Sequence, residues 1–190
     1  MVEFKKTVQE AMELLIEGNK RYVEGKADIG DVSFAQREKT LKEGQFPYAI
    51  IITCSDSRVI PESIFSAGIG DLFVIRVAGN VIDNHQLGSV EYAAEHLGSP
   101  IVVVLGHTNC GAVDAAINHE PEGYIKYITD EITKAVGDET DDYKACCLNA
   151  LHSKAIIEES LQIQKDEQEY GLKVVAAIYH LENGQVEFLD

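Results

Sequence analysis

Two short stretches of the chain carry ionisable side chains directly after runs of apolar residues. The first stretch, IIITCSDSRV, holds three of them at alternate positions, Cys54, Asp56 and Arg58. The second stretch, VVVLGHTNCG, ends in His107 and Cys110. Two thiolates and one imidazole suit Zn²⁺, and three protein ligands leave a fourth metal position for water. The two stretches therefore predict one Zn²⁺ per chain, bound by Cys54, His107 and Cys110.

Asp56 and Arg58 bear on whether that zinc site is open or closed. An aspartate near Zn²⁺ is itself a good fourth ligand, but Arg58 can hold the carboxylate in a bidentate ion pair and keep it off the metal. Asp56 then accepts a hydrogen bond from the zinc-bound water, and the site is catalytic. The residues alone leave open a closed structural zinc, a buried trio without metal, and a purely structural ion pair.

The elements that must position these residues read as an alternation of strands and helices. Four short apolar runs are typical of strands buried on both faces of a parallel sheet: Tyr48–Thr53, Leu72–Val77, Ile101–Leu105 and Val174–Tyr179. Helical patterns lie at about 3–24, 61–67, 86–97, 111–119, 122–136 and 142–170. Asn183-Gly184 predicts a two-residue hairpin turn into an antiparallel edge strand, Val186–Leu189.

This pattern predicts an α/β fold. The expected architecture is an open, mostly parallel sheet of about four strands plus an antiparallel C-terminal edge strand, flanked by helices, with an N-terminal helical arm. We expect one domain over 1–190. Its parts are a helical arm at 1–45, a sheet core at 46–119 and 172–190, and a helical segment at 120–171.

Such a sheet would bring the candidate ligands together. Ligands collect beyond the carboxyl ends of parallel strands where the strand order reverses, and neighbouring strands lie about 4.8 Å apart. Cys54 follows the first strand, whereas His107 and Cys110 follow the third. Cys110-Gly111 also opens a predicted helix, whose N-terminal field favours a thiolate.

Composition excludes several classes of function. The net charge is 16 − 32 = −16, which argues against nucleic acid and anionic membranes as partners. No run approaches the roughly 20 apolar residues of a membrane helix, and the charged N-terminus is unlike a signal peptide. We therefore expect a cytoplasmic protein, in which four cysteines indicate metal binding or reactive thiols rather than disulfides.

Three further patterns resemble functional motifs, but in each case the residues argue against that function. Cys146-Cys147 lies within a predicted helix, where the two side chains diverge, so packing is favoured over a redox pair. The sequence GIGD precedes a strand and lacks the Lys-Ser/Thr of a phosphate loop, which favours a turn. A cysteine phosphatase is excluded because it needs C-x5-R, whereas this chain has C-x3-R.

Taken as whole motifs, the chain resembles the β-class carbonic anhydrases over roughly 1–118 and 172–189. The matching motifs are CSDSRV, GDLFVIRVAGN, GSVEYAAEHLG and HTNCGAV. The C-terminal stretch VVAAIYHLENGQVEFL matches more weakly. The resemblance implies zinc on Cys54, His107 and Cys110, an Asp56–Arg58 dyad, and reversible hydration of CO₂ to bicarbonate and a proton by metal-bound hydroxide. It also implies a homodimer or a dimer-based oligomer, with the N-terminal helix packed over the partner.

Substrate binding is expected in a small apolar pocket, since CO₂ is apolar and uncharged. The candidate lining residues are Val59, Val77, Gly79, Val81, Tyr92 and Gly111; Tyr92 matches a residue that family members place near the cleft. Relatives that hold a regulatory bicarbonate use a tryptophan where this chain has Ile51, so that site is not expected, although Arg76 and Tyr179 match its other two residues. Where many relatives carry a glutamine, this chain reads FSAG, so backbone amides are expected to contact bicarbonate.

Several questions stay open at this level. Two thiolates cancel the formal charge of Zn²⁺, which should weaken its pull on the proton of a bound water. Activity should therefore rise with pH around a midpoint that is higher than at a three-histidine site. The proton shuttle is not identified among His85, His96, His119, His152 and His180, each of which also fits a surface or packing role. The alternative functions are a hydrolase of carbonyl sulfide or carbon disulfide on the same scaffold, and a catalytically silent zinc-binding regulatory protein.

Overall fold

A five-stranded sheet organises the part of the molecule that the structure describes. The computed structural model describes residues 4–26, 29–118 and 121–189. The strands are β1 (Ala49–Thr53), β2 (Leu72–Arg76), β3 (Ile101–His107), β4 (Lys173–Tyr179) and β5 (Val186–Leu189). Their order across the sheet is β2-β1-β3-β4-β5, and only the β4–β5 pair is antiparallel. The predicted sheet, with its antiparallel C-terminal edge, is confirmed.

Helices flank the sheet and join its strands. In chain order they are α1 (Val8–Val23), α2 (Phe34–Glu43), α3 (Pro61–Ile64), α4 (Asn84–Leu97), α5 (Gly111–Asn118), α6 (Ile125–Val136), α7 (Asp142–Glu158) and α8 (Leu161–Tyr170). The helical pattern at 142–170 is thus two helices rather than one, because Ser160 caps α8 by accepting the Ile163 N–H. None of the helices in the described ranges combines the length and apolar composition that a membrane crossing needs.

The strand order reverses between β1 and β3. The chain passes from β1 to β2 on one side, and β3 then pairs with the other side of β1, with Ile51 opposite both Val74 and Val103. Every residue of β1 and β3 is buried, as expected for central strands covered on both faces. In an open α/β sheet the crevice beyond the carboxyl ends at such a reversal is the usual ligand site. Thr53 and His107 are the last residues of these two strands.

The apolar core lies in two layers, one on each face of the sheet. Alternate strand residues face opposite ways, so Ile52 and Val104 belong to one layer and Ile51 and Val103 to the other. The first layer packs against α4 to α8 and includes Cys54 and Cys110; the second packs against α1 and α3.

The connection from β4 to β5 differs from the predicted two-residue turn. The His180 N–H donates to the Gln185 carbonyl at 2.8 Å, which encloses a four-residue loop, and Gly184 adopts φ +79°. Tertiary contacts set this longer loop, because the Leu181 N–H donates to Thr108 Oγ1 and the Gly184 carbonyl accepts from Asn19 Nδ2. The two-residue prediction was therefore wrong, although Gly184 does supply the left-handed residue that the loop needs.

Candidate metal centre

The chain turns sharply as soon as it leaves β1. The Arg58 N–H donates to Asp56 Oδ1 at 2.9 Å, and the Val59 N–H donates to the Asp56 carbonyl at 3.0 Å. Asp56 thus begins an Asx turn, in which a carboxylate bonds its own backbone two residues on. The stretch therefore does not stay extended, and the turn rather than strand parity brings Asp56 and Arg58 to the crevice.

The two side chains also form a bidentate ion pair. Arg58 Nε donates to Asp56 Oδ1 at 3.0 Å, and Nη2 donates to Oδ2 at 2.7 Å. These hydrogen bonds, chiefly those from the guanidinium, lower the pKa of Asp56 to about 2. Arg58 Nη2 also donates to the Asn109 carbonyl at 3.2 Å, which links the Asp56 turn to the loop after β3.

His107 is buried at the end of β3 with one ring nitrogen engaged and the other free. Nδ1 lies 2.9 Å from the Thr108 carbonyl, which can only accept, so Nδ1 carries the proton and Nε2 presents a lone pair. Nε2 has no hydrogen-bond partner among the residues that the structure describes, and it lies 4.0 Å from Asp56 Oδ2. A buried, unpartnered imidazole nitrogen held in this tautomer has the form of a metal ligand.

Cys110 sits at the N-terminus of α5. Its sulfur is thereby placed where the helix field and the first backbone N–H groups favour a thiolate. The preceding residue, Asn109, has φ +54°, and its N–H donates to Asp142 Oδ2 at 2.8 Å. This left-handed turn brings Cys110 back beside His107.

The three candidate ligands converge on one point. The donor atoms of Cys54, His107 and Cys110 all lie within 4.8 Å of one another, and all three residues are buried. Tetrahedral Zn²⁺ with bonds of about 2.0–2.3 Å places its ligand atoms roughly 3.3–3.8 Å apart, so the trio fits such an ion with small adjustment. Of the described residues, no other His, Cys, Asp or Glu trio meets this criterion.

Cys54 and Cys110 affect each other's ionisation, with the proton favoured on Cys110. The hydrogen bond from Cys110 lowers the pKa of Cys54 to about 4, while the same bond and burial raise the pKa of Cys110 well above its ordinary range. A cation between the sulfurs would take the place of that proton, which is a second sign that the donor set fits a metal. Cys146, whose pKa burial raises to about 12, stays a neutral thiol nearby.

Arg76 braces the Cys54 loop from β2. Its Nε donates to the Cys54 carbonyl at 3.2 Å and its Nη2 donates to the Asp56 carbonyl at 2.7 Å. Tyr179, which the sequence analysis paired with Arg76, does not contact this loop through its hydroxyl. That hydroxyl lies 3.0 Å from the Tyr22 hydroxyl. Sequence reasoning missed this brace, although a polar residue ending an apolar strand beside Cys54 was the available signal.

The candidate pocket residues occupy different places. Val77 and Val81 pack in the same core layer as Cys54, and the Gly79 N–H donates to Cys54 Sγ at 3.3 Å. Gly111 is exposed, with no atom within 4 Å of where a Cβ would stand. The other two lie apart from these: Val59 is fully buried in the opposite layer, and Tyr92 is half-exposed on α4, packed against Phe73 and His96.

The other histidines are spread over the molecule. His152 Nε2 lies 2.9 Å from Glu131, and His180 lies between Glu182 and Glu187. His85 lies 3.7 Å from Asp83 near the start of α4. His119 lies outside the described residues.

Fold and site together define an α/β protein with a candidate three-ligand metal centre at the switch point of its sheet. Comparison with known proteins gives this class a family. Residues 49–186 match the family model of carbonic anhydrase. The chain belongs to the carbonic anhydrase family of enzymes, in its β class.

Relatives of known sequence and structure support this assignment. The chain is 36% identical to a carbonic anhydrase of Mycolicibacterium smegmatis over 194 residues, covering 93% of this chain and 91% of that protein. It is 44% identical over 131 residues to carbonic anhydrase 2 of Mycobacterium tuberculosis, covering 66% of this chain and 63% of that protein. The crystal structure of the β-carbonic anhydrase CafA of Aspergillus fumigatus superposes with a TM-score of 0.74 at 29% identity, over 82% of this chain and 81% of that one.

Proposed function

We propose that this chain catalyses the reversible hydration of CO₂ to bicarbonate and a proton, with Zn²⁺ held by Cys54, His107 and Cys110. One observation carries the proposal. The side chains of two cysteines and one histidine converge within 4.8 Å, while the neighbouring carboxylate of Asp56 is tied to Arg58 instead of joining the trio. When bound, Zn²⁺ supplies a Lewis acid that lowers the pKa of a water molecule and makes a nucleophile available near neutral pH.

Asp56 orients that nucleophile. Its pKa of about 2 keeps it ionised, so it acts only as a hydrogen-bond acceptor. Oδ2 lies 4.0 Å from His107 Nε2, close enough to the ligand trio to accept a hydrogen bond from a water there, which would leave the lone pair of that water facing outward. Arg58 restrains the carboxylate through two hydrogen bonds and prevents it from serving as a fourth ligand.

The substrate site is proposed on the open side of the trio. Val77 and Val81, which pack in the layer of Cys54, provide apolar lining for CO₂. Gly111 adds open space at the N-terminus of α5, where backbone N–H groups and the helix field favour an anionic product such as bicarbonate. Gly79 contributes through its contact with Cys54. Val59, buried in the opposite layer, and Tyr92, on α4, stay predictions from the sequence.

The working form is proposed to be a cytoplasmic homodimer or an oligomer built from dimers. Exposed apolar side chains on α1 and α2 support an assembled form, among them Ile16, Phe34 and Leu41. All four cysteines are free, in keeping with a reducing compartment. Analytical ultracentrifugation of the purified chain tests the assembly, and a monomer at micromolar concentration contradicts it.

The activity is tested by stopped-flow CO₂ hydration on purified protein whose metal content is measured in the same sample. We expect about one zinc per chain and a hydration rate that disappears on chelation and returns with Zn²⁺. Hydrogen sulfide release from carbonyl sulfide or carbon disulfide without CO₂ hydration would favour the hydrolase alternative. Zinc at one per chain with neither activity would leave a silent metal-binding protein.

A further inference from the structure

Helix α7 lies against the back of the metal centre. It approaches β3 closely at Gly106, the residue before His107, where a Cβ would lie 2.9 Å from Ile178 Cδ1 and 3.3 Å from Ala150 Cβ on α7. Three α7 side chains that hydrogen-bond the loops around the centre recur at i, i+7 and i+11, and so share one helix face: Asp142, Asn149 and Ser153.

The first of these side chains holds the loop of His107 and Cys110. Asp142 accepts from the Asn109 N–H at 2.8 Å. The other two hold the turn Ala78–Asn80, which follows β2. Asn149 Nδ2 donates to the Gly79 carbonyl at 2.7 Å, and Ser153 Oγ donates to the Asn80 carbonyl at 3.0 Å.

The turn at Ala78–Asn80 needs such support. Gly79 has φ +69° and Asn80 has φ +46°, a left-handed conformation that is unfavourable for a residue with a side chain. Both residues are buried, so their carbonyls require partners inside the protein. Asn149 and Ser153, each 1% exposed, are those partners.

The same turn faces a candidate metal ligand. The Gly79 N–H donates to Cys54 Sγ at 3.3 Å, so the residue whose carbonyl is held by Asn149 also presents its N–H to the thiolate. A hydrogen bond to a thiolate withdraws electron density from sulfur and fixes its orientation. Partners that act on metal ligands in this way commonly change metal affinity by about 10- to 100-fold.

We propose that Asn149 is a positioning residue for the metal centre: it fixes the Gly79 turn so that the Gly79 N–H is aimed at the Cys54 thiolate. The inference rests on the proposed metal site but goes beyond the proposed activity, because it assigns a role to a helix outside the ligand motifs. Ser153 supports the same turn one residue further on.

The test uses the full chain loaded with Co²⁺ and follows the thiolate-to-cobalt absorption, together with Zn²⁺ affinity by chelator competition. Asn149→Leu keeps the approximate shape and removes the donor. We expect the absorption band to move to lower energy, because Cys54 loses a hydrogen bond and becomes more electron-rich, and Zn²⁺ to bind about 10- to 100-fold more weakly. An unchanged band and unchanged affinity overturn the proposal.

A matched control is available in Asn19, which is also buried and donates to backbone carbonyls, those of Gly184 and Ile64, but belongs to α1. Asn19→Leu should lower stability without moving the cobalt band. A band that moves equally in Asn19→Leu shows a general loss of structure and overturns the specific role of Asn149.

Three further outcomes are separated by the design. If Asn149→Leu does not fold, Ser153→Ala decides: a smaller band shift in the same direction supports the proposal, and an unchanged spectrum overturns it. A wild-type chain that binds neither Co²⁺ nor Zn²⁺ refutes the metal centre and the proposed function with it. A shifted band in a chain without hydration activity supports the role of Asn149 while the proposed function fails.

Discussion

The carboxylate of Asp56 and the guanidinium of Arg58 meet edge to edge, with both carboxylate oxygens engaged at 3.0 and 2.7 Å. Arg58 is two residues from Asp56, so the Asx turn that also bonds its backbone N–H sets the geometry locally. A third contact, from Arg58 Nη2 to the Asn109 carbonyl, ties the pair to the loop of Cys110. The pair is therefore held from both sides of the candidate metal centre.

Removing the guanidinium should release Asp56 toward the metal. In Arg58→Ala we expect the CO₂ hydration rate to fall about 100-fold or more, since the carboxylate can then occupy the position that water needs. Zinc content should stay near one per chain, because the three ligands are untouched. Stopped-flow rates with metal analysis check this. Arg37→Ala, which removes an exposed arginine on α2, is the control and should keep wild-type activity; a fully active Arg58→Ala removes the pair from the mechanism.

The Asn109 turn offers a second prediction. Asp142→Ala removes the acceptor of the Asn109 N–H, so the loop that bonds Arg58 should loosen and turnover should drop several-fold, at a stability cost of about 1 kcal/mol. Asp141→Ala is the matched control, because Asp141 caps the same helix through the Lys144 N–H. It should cost about 1 kcal/mol without slowing turnover. Equal effects of the two variants on turnover would assign both to helix stability alone.

The sheet and the convergence of the three candidate ligands could be predicted from the pattern of the strands. Buried parallel strands need continuous apolar runs, and β1, β3 and β4 show them, so their bounds were correct to within two residues. The convergence of Cys54, His107 and Cys110 followed from the strand order at the switch point, which places the ends of β1 and β3 side by side.

The supports of the trio could not be predicted in the same way. Asn149, Ser153 and Arg76 act on backbone carbonyls between 20 and 73 positions away in the chain, and a carbonyl carries no sequence signal. The β4–β5 loop was misjudged for a similar reason, because Asn19 and Thr108 hold it from other elements. Local turn chemistry identified Gly184 but not the length of the loop.

Gly79 provides a test of how tightly the turn is packed. A Cβ there would lie 2.7 Å from Ile132 Cδ1 and 3.1 Å from Ala112 Cβ, and the residue has φ +69°. Gly79→Ala should therefore cost backbone strain of about 1–2 kcal/mol plus roughly 1–3 kcal/mol of overpacking in the free energy of unfolding. Urea denaturation measures the sum.

Gly25 separates the two contributions to that cost. It has φ +67°, but nothing lies within 4 Å of where its Cβ would stand. Gly25→Ala should therefore show the backbone cost alone. If Gly79→Ala is no less stable than Gly25→Ala, the close packing against Ile132 carries no energetic weight.

Asp166 on α8 predicts an unusual dependence of stability on pH. It is 1% exposed, Oδ1 accepts from Gln162 Nε2 at 3.2 Å, and Oδ2 has no hydrogen-bond partner in the described part of the chain. Burial raises the pKa of this carboxyl. Below the ordinary aspartate pKa of about 4, it is protonated in both the folded and unfolded states and costs nothing. As the pH rises through the higher folded-state pKa, ionisation is resisted only in the folded state, so stability is lost.

Asp166→Asn should therefore be more stable than the wild type at pH 7, and the gain should shrink as the pH falls toward 4. Because the chain carries a net charge of −16, removing any negative charge relieves some repulsion, so a control for charge alone is needed. Asp138→Asn, in the exposed turn after α6, removes the same charge from the surface. Urea midpoints across the pH range compare the two variants. A gain in Asp166→Asn that equals that of Asp138→Asn, or that does not change with pH, would show that the buried carboxyl carries no desolvation penalty.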